Sequence, residues 1–356
     1  MRTVYKLLAG LLAALAISPA CFSQDVGFSQ FYEQPLLRNP ALAGIFSGDI
    51  RFTASYRNQW QSVTIPYRTF GLSSEFKMPL NVAPDDNLTI GLQLIRDVAG
   101  TSQFSTTQIL PALNYSLPVS NIRNSYLNLA FMGGLMQQRF DPTKLVLNDQ
   151  FITGSNGSFS FLPSSRQVFN NTSVNYFDLS AGLSFSSDIG EGIDYFVGAA
   201  IFHLTSPQVG FFDGHTITLN KKIAVNAGLS LPTSDEDRVI FYADYFKQFR
   251  KILPPEPVGI HTFQAGILFS HDFFVLGDIQ QTITGGVLYR LNDAVVPVIQ
   301  LQLSKVVIGV SYDVNIDKLA TAARYRGGME LIITYRDFLN YNQSEQRQSK
   351  CPKFRL

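Results

Sequence analysis

Ile50-Arg51-Phe52-Thr53-Ala54-Ser55-Tyr56-Arg57 places an apolar residue at every even position and a polar or charged one at every odd position. That is the strand period of two, because successive side chains of an extended chain leave opposite faces of the pleat. The same alternation recurs far along the chain. Leu88, Ile90, Leu92 and Leu94 alternate with Thr89, Gly91 and Gln93. Ile193, Tyr195, Val197, Ala199 and Ile201 share one face, and Met329, Leu331, Ile333 and Tyr335 alternate with Glu330, Thr334 and Arg336. No apolar stripe of helical period is sustained beyond residue 48, so little helix is expected there.

By the same alternation about fourteen strands are expected, at 48–58, 67–78, 87–97, 105–118, 123–138, 174–187, 193–204, 221–231, 238–248, 260–271, 280–290, 294–303, 305–314 and 327–337. Most have the roughly 9–11 residues, or more, that a tilted strand needs to cross a bilayer. Strands of soluble sheets are nearer five or six residues. Short connections (Val119–Asn121, Asp188–Gly192, the break at Lys305) alternate with long ones (Asp141–Asn171, Ser206–Asn220, Phe249–Val258, Asn315–Arg324), with exceptions at Pro79–Asp86 and near Leu291. Tight turns on one side of a membrane and loops on the other produce that alternation. The expected fold is therefore all-β, a transmembrane antiparallel β-barrel of about fourteen strands over residues 47–338. A soluble β-sandwich or propeller is the alternative, but no blade-length repeat is present. Tyr56 and Trp60, Tyr195, Tyr242 and Tyr245, Tyr312, and Tyr335 with Phe338 lie towards strand ends, as interfacial aromatics do.

Composition agrees. Only 15% of the 356 residues are charged and 13% are aromatic, which suits two-faced strands and does not suit a disordered chain. The net charge of +1 gives no field for nucleic acid. The chain opens as a signal peptide, residues 1–23, with Arg2 and Lys6, an apolar run from Leu7 to Ile17, and small residues at Ala20 and Ser23. That run is too short to span a bilayer. Cleavage after Ala20 or after Ser23 fits. A lipid-modified Cys21 is the weaker reading, because Ser18 stands where a Leu is usual. With Cys21 removed, Cys351 has no disulfide partner within the chain.

The sequence carries no recognisable catalytic or metal-binding motif. His203, His215, His261 and His271 form no close-spaced metal pair, and no Walker loop, nucleophile elbow or zincin motif occurs. Asp85-Asp86 and Asp235-Glu236-Asp237 fall in turns, where Asp makes local hydrogen bonds. Leu253-Pro254-Pro255-Glu256-Pro257 reads as a stiff surface loop. No catalytic, cofactor-binding or metal residue is expected, and the chain is expected not to be an enzyme.

Between the leader and the first strand, Phe28-Ser29-Gln30-Phe31-Tyr32 runs into Pro35-Leu36 and then Asn39-Pro40-Ala41-Leu42-Ala43-Gly44, with Tyr56-Arg57-Asn58-Gln59-Trp60 closing the first strand. Near the far end stand Tyr289-Arg290-Leu291-Asn292-Asp293-Ala294, Ser311-Tyr312-Asp313-Val314-Asn315, Arg326-Gly327-Gly328 with Glu330, and Cys351-Pro352-Lys353-Phe354. This set resembles the PorP/SprF family of type IX secretion system outer-membrane proteins. The resemblance implies an accessory component in the outer membrane of a Gram-negative bacterium, serving secretion or surface anchoring of large cargo such as gliding adhesins. Its implied partners are the secretion machinery, secreted cargo and outer-membrane lipid. The alternative is a passive porin or apolar-ligand channel. Candidate partner residues are Phe28, Gln30, Tyr32, Pro35, Asn39, Pro40, Ala43, Gly44, Arg57, Trp60, Tyr312, Asp313 and Cys351. Residues 24–46 are expected to form a periplasmic N-terminal segment, apolar enough to pack into the lumen or its rim. Residues 339–356 are expected to form a periplasmic C-terminal tail offered to a machinery protein, its polar stretch Asn340–Lys350 solvated and followed by Cys351-Pro352-Lys353-Phe354.

Overall fold

The computed structural model describes residues 26–59, 65–120, 123–153, 158–162, 165–190, 192–211, 217–249, 260–276, 279–317, 326–339 and 354. The leader, Trp60, the Leu253–Pro257 loop and Cys351 lie outside the described residues. Sixteen strands follow one another: β1 (Ile50–Gln59), β2 (Tyr67–Pro79), β3 (Asn87–Ala99), β4 (Phe104–Ser120), β5 (Ser125–Arg139), β6 (Phe151–Thr153), β7 (Phe159–Phe161), β8 (Ser173–Ile189), β9 (Ile193–Phe202), β10 (Lys222–Pro232), β11 (Asp237–Gln248), β12 (Ile260–Leu276), β13 (Ile279–Arg290), β14 (Ala294–Leu303), β15 (Val306–Asn315) and β16 (Arg326–Asp337). All but β6 and β7 join one closed antiparallel barrel of fourteen strands. Each neighbour in sequence is a neighbour in space, and β1 pairs with β16 from Ile50↔Asp337 to Gln59↔Gly328. Closure leaves no strand edge unpaired, the condition for a sheet inside lipid. The small pair β6–β7 forms a separate hairpin within the long loop after β5, a feature the strand period did not reveal.

Burial runs opposite to that of a soluble protein. In β1 the buried side chains are Arg51, Thr53, Ser55 and Arg57, while Phe52 and Tyr56 are exposed. Asn114 and Asn128 are fully enclosed, whereas Leu113 and Leu135 are 54% and 65% exposed. Polar residues inside and apolar residues outside require an apolar solvent around the wall, as lipid is. Exposed Tyr56, Tyr67, Tyr245, Tyr289 and Tyr312 ring one end of the outer face, and Phe52 and Phe76 lie towards the other, edge to face at 5.5 Å. Such girdles mark the two interfaces. Tyr242 departs from expectation: it faces the lumen and is buried. Strand parity explains this, since Tyr242 shares a face with Ile240 and Asp244 rather than with Tyr245.

The long connections (140–172, 203–221, 249–259 and 316–325) all leave one end, which we call the loop end. The other, turn end carries 80–86, 121–124, 190–192, 233–236, 277–278 and 304–305, and there β1 begins and β16 finishes. Short turns face the periplasm in such barrels. The barrel should show heat-modifiable electrophoretic mobility. Leu113→Arg, at mid-strand on the lipid face, should cost about 2–4 kcal/mol of stability in bilayers. Urea unfolding in liposomes checks this, and an unchanged midpoint would contradict the assigned faces.

Candidate functional site

The lumen is occupied by the chain's own N-terminal stretch. From residue 26 the segment expected to pack into the lumen or its rim runs inside the barrel, beginning beside loop-end residues of the wall and ending at Asp49, whose backbone N–H donates to the Asp337 carbonyl at the turn end (2.7 Å). It is compact because short helical turns follow one another: a 3-10 turn Phe31–Glu33, one α turn Pro35–Arg38, and a 3-10 turn Pro40–Leu42. Pro35 and Pro40 each open a turn, where a missing N–H costs nothing and the fixed φ helps. Asn39 caps the last turn, its Oδ1 accepting from the Ala41 N–H (2.9 Å). Gly44 has φ +80°, and a Cβ there would collide with the Thr89 hydroxyl, so this exit turn demands glycine.

Three sets of buried contacts fasten this plug. Towards the loop end, Asp313 accepts from Arg57 (2.6 Å), Arg290 (2.9 Å) and the Ser29 hydroxyl (2.5 Å). Glu330 accepts the backbone N–H groups of Ser29 (2.6 Å) and Gln30 (2.8 Å), and Arg57 also donates to the Gly27 carbonyl. At mid-lumen, Arg38 of the plug makes a bidentate pair with Asp244 (2.8 and 2.7 Å), which also accepts from Asn226 (2.8 Å). The Arg38 guanidinium lies 5.2–5.4 Å from the rings of Phe31, Phe196 and Tyr242. Tyr32 stacks on Tyr242 at 5.0 Å. Towards the turn end, Glu75 binds Arg51 in bidentate fashion (2.9 and 2.8 Å) and accepts the Gly44 N–H (2.8 Å), while Lys77 donates to the carbonyls of Gly44 (3.2 Å) and Phe46 (2.9 Å). Charged hydrogen bonds in a dry interior are the strong ones.

The wall is shaped for the plug. Asn39 donates to the Leu183 carbonyl (3.3 Å) above two inward glycines, Gly182 and Gly198, where any Cβ would strike its carboxamide. Ser184 donates to the Ala41 carbonyl (2.7 Å), and Asn114 to the Ala43 carbonyl (2.6 Å). Phe28 lies against Gly71, and Gln30 against Gly309. A cavity of about 40 Å³ is left beside Tyr32, Arg38, Tyr242 and Phe354. That is room for a few waters.

The structure thus brings together Phe28, Gln30, Tyr32, Pro35, Asn39, Pro40, Ala43, Gly44, Arg57 and Asp313. Tyr312 points the other way, 42% exposed on the outer face. Sequence reasoning did not single out Arg38, Glu33, Glu75, Asp244, Glu330 or Phe354 as site residues. Glu75, Asp244 and Glu330 were discoverable, because each carries the parity of the lumen face within its strand. Glu33 accepts from Arg336 (3.3 Å) and Thr334 (3.2 Å). The acidic turn at Asp86 is a local clasp: its carboxylate accepts from the N–H groups of Asn81, Val82 and Ala83 and from Tyr115. Burial works to raise its pKa, and those donors outweigh burial and hold it below the usual carboxylate range. No cluster of three metal-ligating side chains occurs among the described residues.

Fold and filled lumen together define a plugged outer-membrane β-barrel. The family model described as type IX secretion system membrane protein PorP/SprF matches residues 20–335, and the chain belongs to that family. It resides in the outer membrane. The family is a secretion-system membrane component and not an enzyme class. No curated protein matches the chain. Among solved structures, a FadL homologue of Pseudomonas aeruginosa is similar at 10% identity over 80% of this chain and 88% of that one, with a TM-score of 0.43. The translocator domain of the autotransporter NalP from Neisseria meningitidis is similar at 12% identity over 81% and 88%, with a TM-score of 0.38. BamA from Haemophilus ducreyi lacking POTRA domains 1–3 is similar at 10% identity over 82% and 70%, with a TM-score of 0.39. These likenesses concern barrel architecture alone.

Removing one partner of a buried ion pair costs about 3–5 kcal/mol. Asp244→Ala should therefore raise the population of undocked plug by two orders of magnitude or more. Tryptic cleavage after Arg38 in the folded barrel reports that population. Unchanged cleavage would show that Arg38 is not the central anchor.

Proposed function

We propose that this chain is an accessory component of type IX secretion that supports export or surface anchoring of particular large cargo, gliding adhesins among them, by binding cargo or machinery. The observation that carries this reading is the filled lumen. The plug occupies the barrel from the Arg57–Asp313 contacts to the Lys77–Gly44 contact, so the wall encloses a packed interior where a porin has water. A barrel closed in this way acts through its surfaces, its loops and its ends. Family membership implies machinery partners. Type IX machinery and cargo would be contacted from the periplasmic turns and from the large loops at the opposite end.

Deletion of the gene followed by proteomics of the cell surface and medium tests the reading. Selective loss of a subset of secreted cargo, restored by the intact gene, is expected. Unchanged cargo together with altered uptake of small solutes would overturn it in favour of a passive channel.

A further inference from the structure

The last described residue of the chain returns to the lumen. Phe354 is 7% exposed, and its ring meets Phe196 edge to face at 5.0 Å and 77°, with Tyr242 at 5.5 Å. Edge-on approach of this kind is what the quadrupoles of aromatic rings favour. Both receiving rings are inward side chains of the wall, from β9 and β11. Both also belong to the cage around Arg38, and Tyr242 carries the stacked Tyr32 on its face. Phe354 therefore touches the wall half of the plug's central anchor. β16 ends at the turn end, where the Leu339 N–H donates to Asp49 (3.0 Å). An aromatic fifteen residues further along re-enters the barrel and seats beside Tyr32 and Arg38.

We propose that Phe354 is an intramolecular ligand: Phe196 and Tyr242 form a slot for an aromatic side chain on the chain end, and its occupation holds the plug in the lumen. The slot consists of two rings already fixed by other contacts, so it is preorganised and its selectivity is for a flat apolar group. Filling it packs the two wall rings of the Arg38 cage. The C-terminal segment, whose stretch 340–350 reads from sequence as solvated, thereby carries an internal anchor at position 354. This inference concerns the barrel itself and holds independently of the secretory role.

The test uses the full-length protein in detergent or nanodiscs. Phe354→Ala should keep heat-modifiable mobility and slow amide exchange in the strands, while amides of residues 28–46 exchange about tenfold faster or more. Phe354→Trp should retain the slow exchange. A fluorescent peptide spanning residues 349–356 should bind the Phe354→Ala protein saturably and restore slow exchange of the plug. The same peptide with its phenylalanine replaced by alanine should do neither. Plug exchange identical in Phe354→Ala and the parent protein would overturn the proposal, as would a native-sequence peptide that fails to bind the variant.

Discussion

A charge inside this barrel has neither lipid nor bulk water to solvate it, so every one must meet an opposite charge or a ring of hydrogen bonds. The wall alone does not meet that condition. Asp244 receives its guanidinium from Arg38 of the plug, and Arg336 finds its carboxylate in Glu33 of the plug. Glu330 and Glu75 complete their coordination with plug backbone amides. The plug in turn has carbonyls at Gly27, Ala41, Ala43, Gly44 and Phe46 that only wall side chains satisfy. Wall and plug are two halves of one electrostatic unit, and removing either leaves the other with unpaired buried groups.

This reciprocity explains the family motif between Asn39 and Gly44. Asn39 has two tasks, capping the next turn with its oxygen and gripping a wall carbonyl with its nitrogen. It reaches the wall because glycine stands opposite it on two adjacent strands. Pro40 starts the turn, the small Ala41 and Ala43 pass close to the wall, and Gly44, with φ +80°, turns the chain on its way to Asp49 and β1. The motif describes the path of a chain threaded through a narrow lumen, and that geometry accounts for it without any chemistry on a ligand.

Nearly all of the wall was legible from sequence and little of its interior. Each of the fourteen expected strands overlaps an observed one, because alternation and turn residues are local signals. The face of each residue was legible too: Arg57 faces inward and Tyr312 outward as their parity requires. Tyr242 was misassigned because aromatic type was weighed above parity. The partnerships within the lumen are different in kind. Arg38 and Asp244 lie 206 residues apart, and Ser29 and Glu330 lie 301 apart. Such pairs exist only once the barrel has closed, so no local pattern encodes them. The hairpin β6–β7 and the seat of Phe354 were hidden for the same reason.

The plug has one covalent attachment to the wall, through Asp49 into β1 at the turn end. Residues 31–42 run through three short helical turns, so the contour of the segment 26–49 is folded up within the barrel. Twenty-four residues drawn straight reach about 80 Å at roughly 3.3 Å each. That is more than twice the roughly 30 Å hydrocarbon thickness the wall crosses. The barrel thus stores a leash anchored at its turn-end rim, and its length sets how far from the wall a plug pulled free of its ion pairs could still hold on.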